Sequence, residues 1–109
     1  MDDKEVLGLT EFIEIKGKRF KAKIDTGADR SSMDVNIAAA LELGPIVGVK
    51  KIRSTHGKSV RPVLYAEVII GGKKMRSKFN LVNREGMTCP ILIGTNILKR
   101  GFLIDPGKK

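Results

Sequence analysis

The segment 19–25 alternates between apolar and basic side chains with the period of two that is typical of a β-strand. Phe20 and Ile24 fall on one side of this alternation, and lysines fall on the other. A second short segment, 12–16, precedes it across Gly17-Lys18, which is suited to a tight turn. The pattern therefore predicts a β-hairpin that has one apolar face and one basic face.

A β pattern returns in the middle of the chain. Apolar residues alternate from 46 to 52, a polar bend covers 54–59, and two longer strands are predicted at 63–70 and 73–82. The dipeptide Gly71-Gly72 separates these two strands, and both glycines tolerate the positive φ that a two-residue hairpin turn requires. We therefore expect a second hairpin here.

Two short helices interrupt the strands. Ile37, Ala38 and Leu41 recur at helical spacing after Asp34, a residue suited to cap a helix, and Gly44-Pro45 ends the pattern. The second helix is predicted to start in the turn after the run 90–93 and to end near residue 101.

The last third of the chain contains two further strands. Pro90 to Ile93 is apolar without interruption, which predicts a strand that is buried on both faces. Phe102 to Ile104 is predicted to be the final strand. Many short strands, one or two short helices and glycine turns indicate an all-β fold, a small closed or nearly closed barrel. We expect one domain, 1–109, with a flexible start at 1–8 and a tail at 106–109.

Composition narrows the partner and the compartment. Of the 109 residues, 41% are hydrophobic and 30% are charged, and the formal net charge is +9. This charge favours an anionic partner, either an acidic polypeptide or nucleic acid. No apolar run is long enough to cross a membrane, and the charged start lacks the apolar segment of a signal peptide. The expected compartment is the cytoplasm, which agrees with the single Cys89.

The candidate chemistry lies in Asp25-Thr26-Gly27-Ala28, where a carboxylate follows a strand and enters a glycine turn. Some seventy residues later the chain carries Leu92-Ile93-Gly94 within a Leu-Ile-Gly-x-Asn-x-Leu pattern. This pair of motifs resembles the retropepsin family, small aspartic proteases that work as dimers. The resemblance implies the acid-protease barrel and a peptide-hydrolysing activity.

The resemblance also assigns roles to individual residues. Asp25 is similar to the catalytic acid, Thr26 to the hydroxyl that braces two loops across the dimer axis, and Gly27 to backbone that a substrate strand approaches. Ala28 and Asp29 would continue that binding edge. The buried support of the loop corresponds to Leu92, Ile93 and Gly94, and the mobile flap over the substrate corresponds to Ser54, Thr55, His56, Gly57 and Lys58.

An aspartic protease needs two carboxylates that share one proton. The chain contains a single Asp-Thr-Gly, so the second acid must come from a second copy of the chain, as in a two-fold symmetric homodimer. One departure from the retroviral pattern is Thr95, which stands where those proteases usually carry an arginine. Another is the charged flap, which indicates a different substrate preference.

Three further segments are similar to a prokaryotic group of retropepsin-like proteins related to those encoded beside RimK-type glutamate ligases. They are Arg61-Pro62-Val63, Asn83 to Met87 and Gly101 to Asp105. That group is often labelled an ATP-dependent zinc protease. Neither zinc nor ATP is expected here, since His56 and Cys89 have no ligand spacing around them and no complete phosphate loop is present. We therefore predict no cofactor.

Three alternatives remain open. Ser31, Ser32 and Cys89 lack the surroundings of a nucleophile, so they are interpreted as two hydrogen-bonding loop residues and one small buried side chain. A catalytically idle binding module could share the same fold. A small basic barrel could instead bind nucleic acid through stacked aromatics, but aromatic residues are only 5% of the chain. Composition thus favours a peptide or protein substrate, acidic or rich in glutamate, over nucleic acid.

Overall fold

The computed structural model describes residues 4–55 and 57–108 of the chain. In these ranges it contains nine strands and two short helices. The strands are β1 (Glu5–Leu7), β2 (Thr10–Ile15), β3 (Lys18–Ile24), β4 (Ser31–Asp34), β5 (Ile46–Ser54), β6 (Gly57–Ile70), β7 (Lys73–Val82), β8 (Ile91–Ile93) and β9 (Phe102–Ile104). The helices are α1 (Val35–Ala40) and α2 (Thr95–Leu98).

Six of the strands close into a barrel. They are hydrogen-bonded in the order β2-β3-β8-β4-β7-β6, and β6 returns to β2 through the pair Glu14 and Ile69. Strand β5 pairs with the first half of β6 outside this ring, and β1 pairs in parallel with β9 as a separate two-stranded sheet. The predicted all-β barrel with two short helices is confirmed. None of the described helices is long and apolar enough to span a membrane.

Both predicted hairpins are present. Strand β6 turns into β7 through Gly71 and Gly72, whose φ angles of 56° and 78° suit a two-residue turn between right-twisted strands. The β2–β3 turn lies one residue earlier than predicted, at Lys16-Gly17, with φ angles of 50° and 78°. A lysine therefore occupies a left-handed conformation that glycine adopts at less cost.

The alternation in β3 predicts the two faces of the barrel wall correctly. Ala22 and Ile24 are buried, whereas Lys21 and Lys23 are exposed. The interior collects apolar side chains from every wall strand and from both helices, and the largest of them that is fully buried is Phe79. The basic face of the hairpin is thus the outside of the barrel.

Two strands were not predicted. The start of the chain was expected to be flexible, yet Glu5–Leu7 forms β1, because Leu7 packs into the core and the segment pairs with Phe102–Ile104. Residues Met1 to Asp3 lie outside the described ranges. Ser31–Asp34, interpreted as loop, forms β4 with all four residues buried. Their polar side chains are satisfied by hydrogen bonds to distant residues, and such long-range partners leave no local pattern.

Three local expectations also need correction. Asp34 occupies the N-cap position of α1 but makes no capping bond there, because its Oδ1 accepts the Arg84 N–H at 2.8 Å. In β8, Ile91 and Ile93 are fully buried but Leu92 is only partly so. The strand predicted from residue 63 instead begins at Gly57, which makes β6 a continuous strand of 14 residues.

Candidate active site

The candidate acid lies where β3 ends and the chain turns. The Asp25 N–H donates to the Ile93 carbonyl at 2.9 Å, so it continues the pairing of β3 with β8 by one residue. The Gly27 N–H donates to Asp25 Oδ1 at 2.9 Å, and the Ala28 N–H donates to the Asp25 carbonyl at 3.3 Å. Asp25 is thus held in a tight turn and half-buried, while Thr26 and Gly27 are exposed.

Gly94 lies directly against the loop that carries Asp25. A Cβ atom added to Gly94 would lie 2.7 Å from the Arg30 carbonyl carbon and 2.8 Å from the Ala28 carbonyl oxygen, distances that no side chain tolerates. The Thr95 N–H donates to the Ala28 carbonyl at 2.7 Å, and the Gly94 N–H donates to Ser31 Oγ at 3.0 Å. The β8–α2 connection therefore supports the loop through backbone contacts that require glycine.

A polar network that the sequence did not predict extends from this support. Ser31 Oγ donates to Asn96 Oδ1 at 2.7 Å, and Asn96 Nδ2 donates to Ser77 Oγ at 3.3 Å and to the Lys78 carbonyl at 3.2 Å. The network joins β4, α2 and β7 beneath the loop. Its one sign in the sequence was Asn96 within the Leu-Ile-Gly-x-Asn-x-Leu pattern.

Lys23 is a second residue that the sequence did not single out. It is two positions before Asp25 on the same strand, so both side chains leave the backbone on the same side. The partner of Lys23 on β8 is Leu92, the partly exposed member of that strand. A cation and an apolar side chain therefore lie on the face of the barrel that carries the acid.

Strands β5 and β6 project beyond the barrel as a hairpin, called the flap below. Their pairing runs from Ile46 and Leu64 to the tip at Ser54 and Gly57. The whole segment 46–63 contains no acidic residue. Its five cations are Lys50, Lys51, Arg53, Lys58 and Arg61.

The residues predicted to contact substrate from the flap are at its tip. Thr55 is in the turn, and Gly57 and Lys58 begin β6; all three are exposed. His56 lies outside the described residues, as does the side chain of Ser54. The structure therefore separates these tip residues from Asp25, Ala28 and Asp29, which are on the loop.

The base of the flap meets the loop at a small cleft of about 50 Å³. We call this cleft the loop–flap cleft. It is lined by Asp29, Arg30, Ser31, Lys50, Val63, Lys78, Asn80 and Asn96. Of the predicted site residues only Asp29 lines it; the other seven come from β4, β5, β6, β7, α2 and the start of the loop.

Among the described residues no group of three or more His, Cys, Asp or Glu side chains could hold a metal ion. Cys89 is buried, as predicted, and its carbonyl accepts the Arg84 Nε–H at 3.0 Å. This pair fixes the chain just before β8.

Comparisons with solved structures agree with the fold. The crystal structure of a protein of unknown function from Legionella pneumophila superposes with a TM-score of 0.68 over 96% of this chain and 95% of that chain, at 20% identity. The solution structure of the simian foamy virus protease gives a TM-score of 0.65 over 83% of this chain and 91% of that chain, at 23% identity. At these identities the similarity establishes the retropepsin-like barrel alone.

One curated relative is a protein of Shewanella pealeana named as a probable alpha-L-glutamate ligase, 28% identical over 135 aligned residues. The alignment covers 98% of this chain but only 30% of that protein, so the chain spans less than a third of its relative's length.

A family model described as the retropepsin-like aspartic endopeptidase RimB matches residues 36–109. The matched region starts after the Asp25 loop and includes the flap, the Gly94 support and β9. Since it covers well over half of the chain and the barrel agrees with it, the chain belongs to the RimB-like family of retropepsin-like aspartic endopeptidases.

Proposed function

We propose that this protein is a homodimeric aspartic endopeptidase in which water is activated between two Asp25 carboxylates. The observation that carries the proposal is the Asp25 turn, held by Gly27 and supported by Gly94 on a retropepsin-like barrel. The chain supplies one such turn, so a complete site requires a second copy. A two-fold axis beside Thr26 would bring the two acids together.

The chemistry follows from two like charges held close together. Because both carboxylates cannot ionise cheaply, the pair keeps one proton. The ionised Asp25 accepts a proton from water as the water oxygen attacks the peptide carbonyl carbon, and the protonated Asp25 of the other copy donates to the carbonyl oxygen. The tetrahedral intermediate then collapses: the C–N bond breaks and the leaving nitrogen takes up a proton. No bond forms between enzyme and substrate, and no cofactor takes part.

Substrate is proposed to bind as an extended strand between the flap and the Asp25 loops. The segment 46–63 supplies five positive charges and no negative one, which favours an acidic peptide. A relative named as a probable glutamate ligase supports a glutamate-rich substrate, because such an enzyme adds glutamate residues. Opening and closing of the flap would admit and enclose this strand.

The decisive experiment compares wild type with Asp25→Asn on an acidic peptide library across pH. Asparagine keeps the shape of the side chain but cannot share a proton, so cleavage should fall by at least about a thousandfold, the scale of losing an acid–base group. Glu67→Gln removes an exposed carboxylate on the outer barrel face and serves as the matched control, with unchanged cleavage expected. Equal cleavage by Asp25→Asn and wild type would refute the mechanism. A folded wild type that binds these peptides but never cleaves them would identify the idle binding module instead.

Nucleic acid is the competing partner, and one observation favours it. Phe12 is 56% exposed with the Arg19 Cζ 4.4 Å from its ring centre, and Tyr65 is 37% exposed with the Arg76 Cζ at 4.5 Å. Exposed rings beside cations are typical of surfaces on which bases stack. Each guanidinium, however, already covers one ring face, so we favour the peptide. Salt-sensitive binding to single-stranded nucleic acid that is tighter than binding to poly-glutamate would reverse this choice.

A further inference from the structure

We propose that the loop–flap cleft binds a side-chain carboxylate of the substrate beside the scissile bond and is the specificity-determining subsite of the enzyme. This inference rests on the proposed function, because it assigns a substrate group to the same site. It goes further by naming the residues that recognise the acidic side chain. The net charge alone does not distinguish this cleft from any other basic surface.

The charges around the cleft favour an anion. Three cations line it, Arg30, Lys50 and Lys78, against a single carboxylate on Asp29. Within the described residues the ion pairs shorter than 4.0 Å are Lys74 with Glu67 and Lys108 with Glu11. None of the three cleft cations is therefore neutralised by a protein carboxylate in the described part of the chain, and each is available to a ligand.

The polar floor of the cleft is rigid. Ser31 is 1% exposed and Asn80 is 5% exposed, and both are held by hydrogen bonds to neighbouring elements. Asn80 Oδ1 accepts the Ser32 hydroxyl at 3.0 Å and the Arg61 Nη1 at 3.4 Å. With its oxygen engaged, the Asn80 amide nitrogen donates to no side chain or backbone group among the described residues, which leaves a donor for an anion.

One of the cations is held in place by a ring. Lys78 Nζ lies 5.6 Å from the centre of the Tyr65 ring, which faces Lys78 from the paired strand β6. A cation oriented in this way loses less side-chain freedom when it binds a ligand, so more of the attraction is available as binding free energy. Lys50 approaches from the flap, so binding of a carboxylate would also draw the flap toward the loop.

The size of the cleft agrees with this ligand. A volume of about 50 Å³ accommodates a few water molecules or one carboxylate group, and it is small for an aromatic ring. Val63 is the one apolar side chain in its lining, so an aliphatic group would find little apolar contact. All eight lining residues belong to one chain, and a dimer would present one cleft on each side of the scissile bond.

The test measures binding rather than cleavage, so that it is independent of catalysis. The probes are fluorescently labelled octapeptides of alternating Glu and Ala or of alternating Gln and Ala, in which every second side chain of an extended strand faces the same way. Binding is measured at low and high salt with the Asp25→Asn protein. We expect the glutamate peptide to bind about tenfold more tightly than the glutamine peptide at low salt, the scale of a charge-assisted contact.

The variant that tests the cleft carries Lys50→Gln and Lys78→Gln together, and the control carries Lys18→Gln. Lys18 is an exposed lysine at the start of β3 that does not line the cleft. The double variant should lose most of the preference for glutamate, whereas the control keeps it. Equal binding of both peptides by the unmodified cleft, or a preference that survives in the double variant, would overturn the inference.

The two proposals fail in different ways. If wild type cleaves no peptide but the Asp25→Asn protein still prefers glutamate through Lys50 and Lys78, the endopeptidase proposal fails and the cleft stands as a binding site. If wild type cleaves peptides with no dependence on these lysines, the activity stands and the cleft is not the specificity subsite. Circular dichroism of each variant establishes that lost binding is not lost folding.

Discussion

At the scale of single residues, two kinds of position surround the candidate acid. Asp25 and Gly27 interact within one turn, so their relation is local and visible in the sequence. Gly94 and Ser31 act across the fold: Gly94 contacts the carbonyls of the loop, and Ser31 bonds to residues more than sixty positions away. The need for glycine at position 94 was expected from the resemblance, whereas the hydroxyl at position 31 was interpreted as an ordinary loop residue.

Gly94→Ala should destabilise the protein by about 3 kcal/mol, because the new methyl group would overlap the Arg30 and Ala28 carbonyls, which are fixed by backbone hydrogen bonds. Urea unfolding followed by circular dichroism measures this change. Gly48→Ala is the control, since a Cβ there meets nothing within 4 Å. A Gly94→Ala protein as stable as the Gly48→Ala protein would show that the loop can shift freely.

Ser31→Ala should cost about 1–3 kcal/mol, the penalty for leaving buried hydrogen-bonding groups without a partner. The Gly94 N–H would lose its acceptor and the Asn96 side-chain oxygen would lose its donor. Thermal unfolding at one pH measures the loss, and Ser59→Ala on the exposed flap provides a control that should change stability little. A neutral Ser31→Ala would mean that water replaces both bonds.

At the scale of elements, local periodicity predicted those strands that have one apolar and one polar face. Strand β3 and the β6–β7 hairpin are of this kind, and Gly71-Gly72 marked their turn. Strand β4 has no such alternation, because Ser31 and Ser32 are buried through hydrogen bonds to α2 and β7. Strand β1 was missed because three residues are too few to establish a period.

At the scale of the whole molecule, the proposed site is incomplete in one chain. Each copy contributes one Asp25, and the loop–flap cleft lies wholly within one copy. Dimerisation and recognition of an acidic side chain can therefore be tested separately. Binding should survive in a monomer, whereas cleavage should not.

Mixing wild type with an equal amount of the Asp25→Asn protein should lower peptide cleavage to about half, because random pairing places half of the wild-type chains in inactive mixed dimers. The measurement is the initial rate after the two proteins have been incubated long enough to exchange subunits. Adding Glu67→Gln protein instead should increase the rate. An unchanged rate in the first mixture would indicate that one chain is active alone.

The sequence by itself determined the β class, the two main hairpins and the Asp25 turn, because each depends on residues that are neighbours along the chain. It also indicated a dimer, since the motif occurs once. Only the tertiary structure decided that Ser31 lies in a buried strand and that Arg30, Lys50 and Lys78 meet in one cleft. The physical reason is that strand order brings these residues together: β4 lies between β8 and β7, and β6 connects β7 with the flap. Periodicity along the chain carries no record of that order.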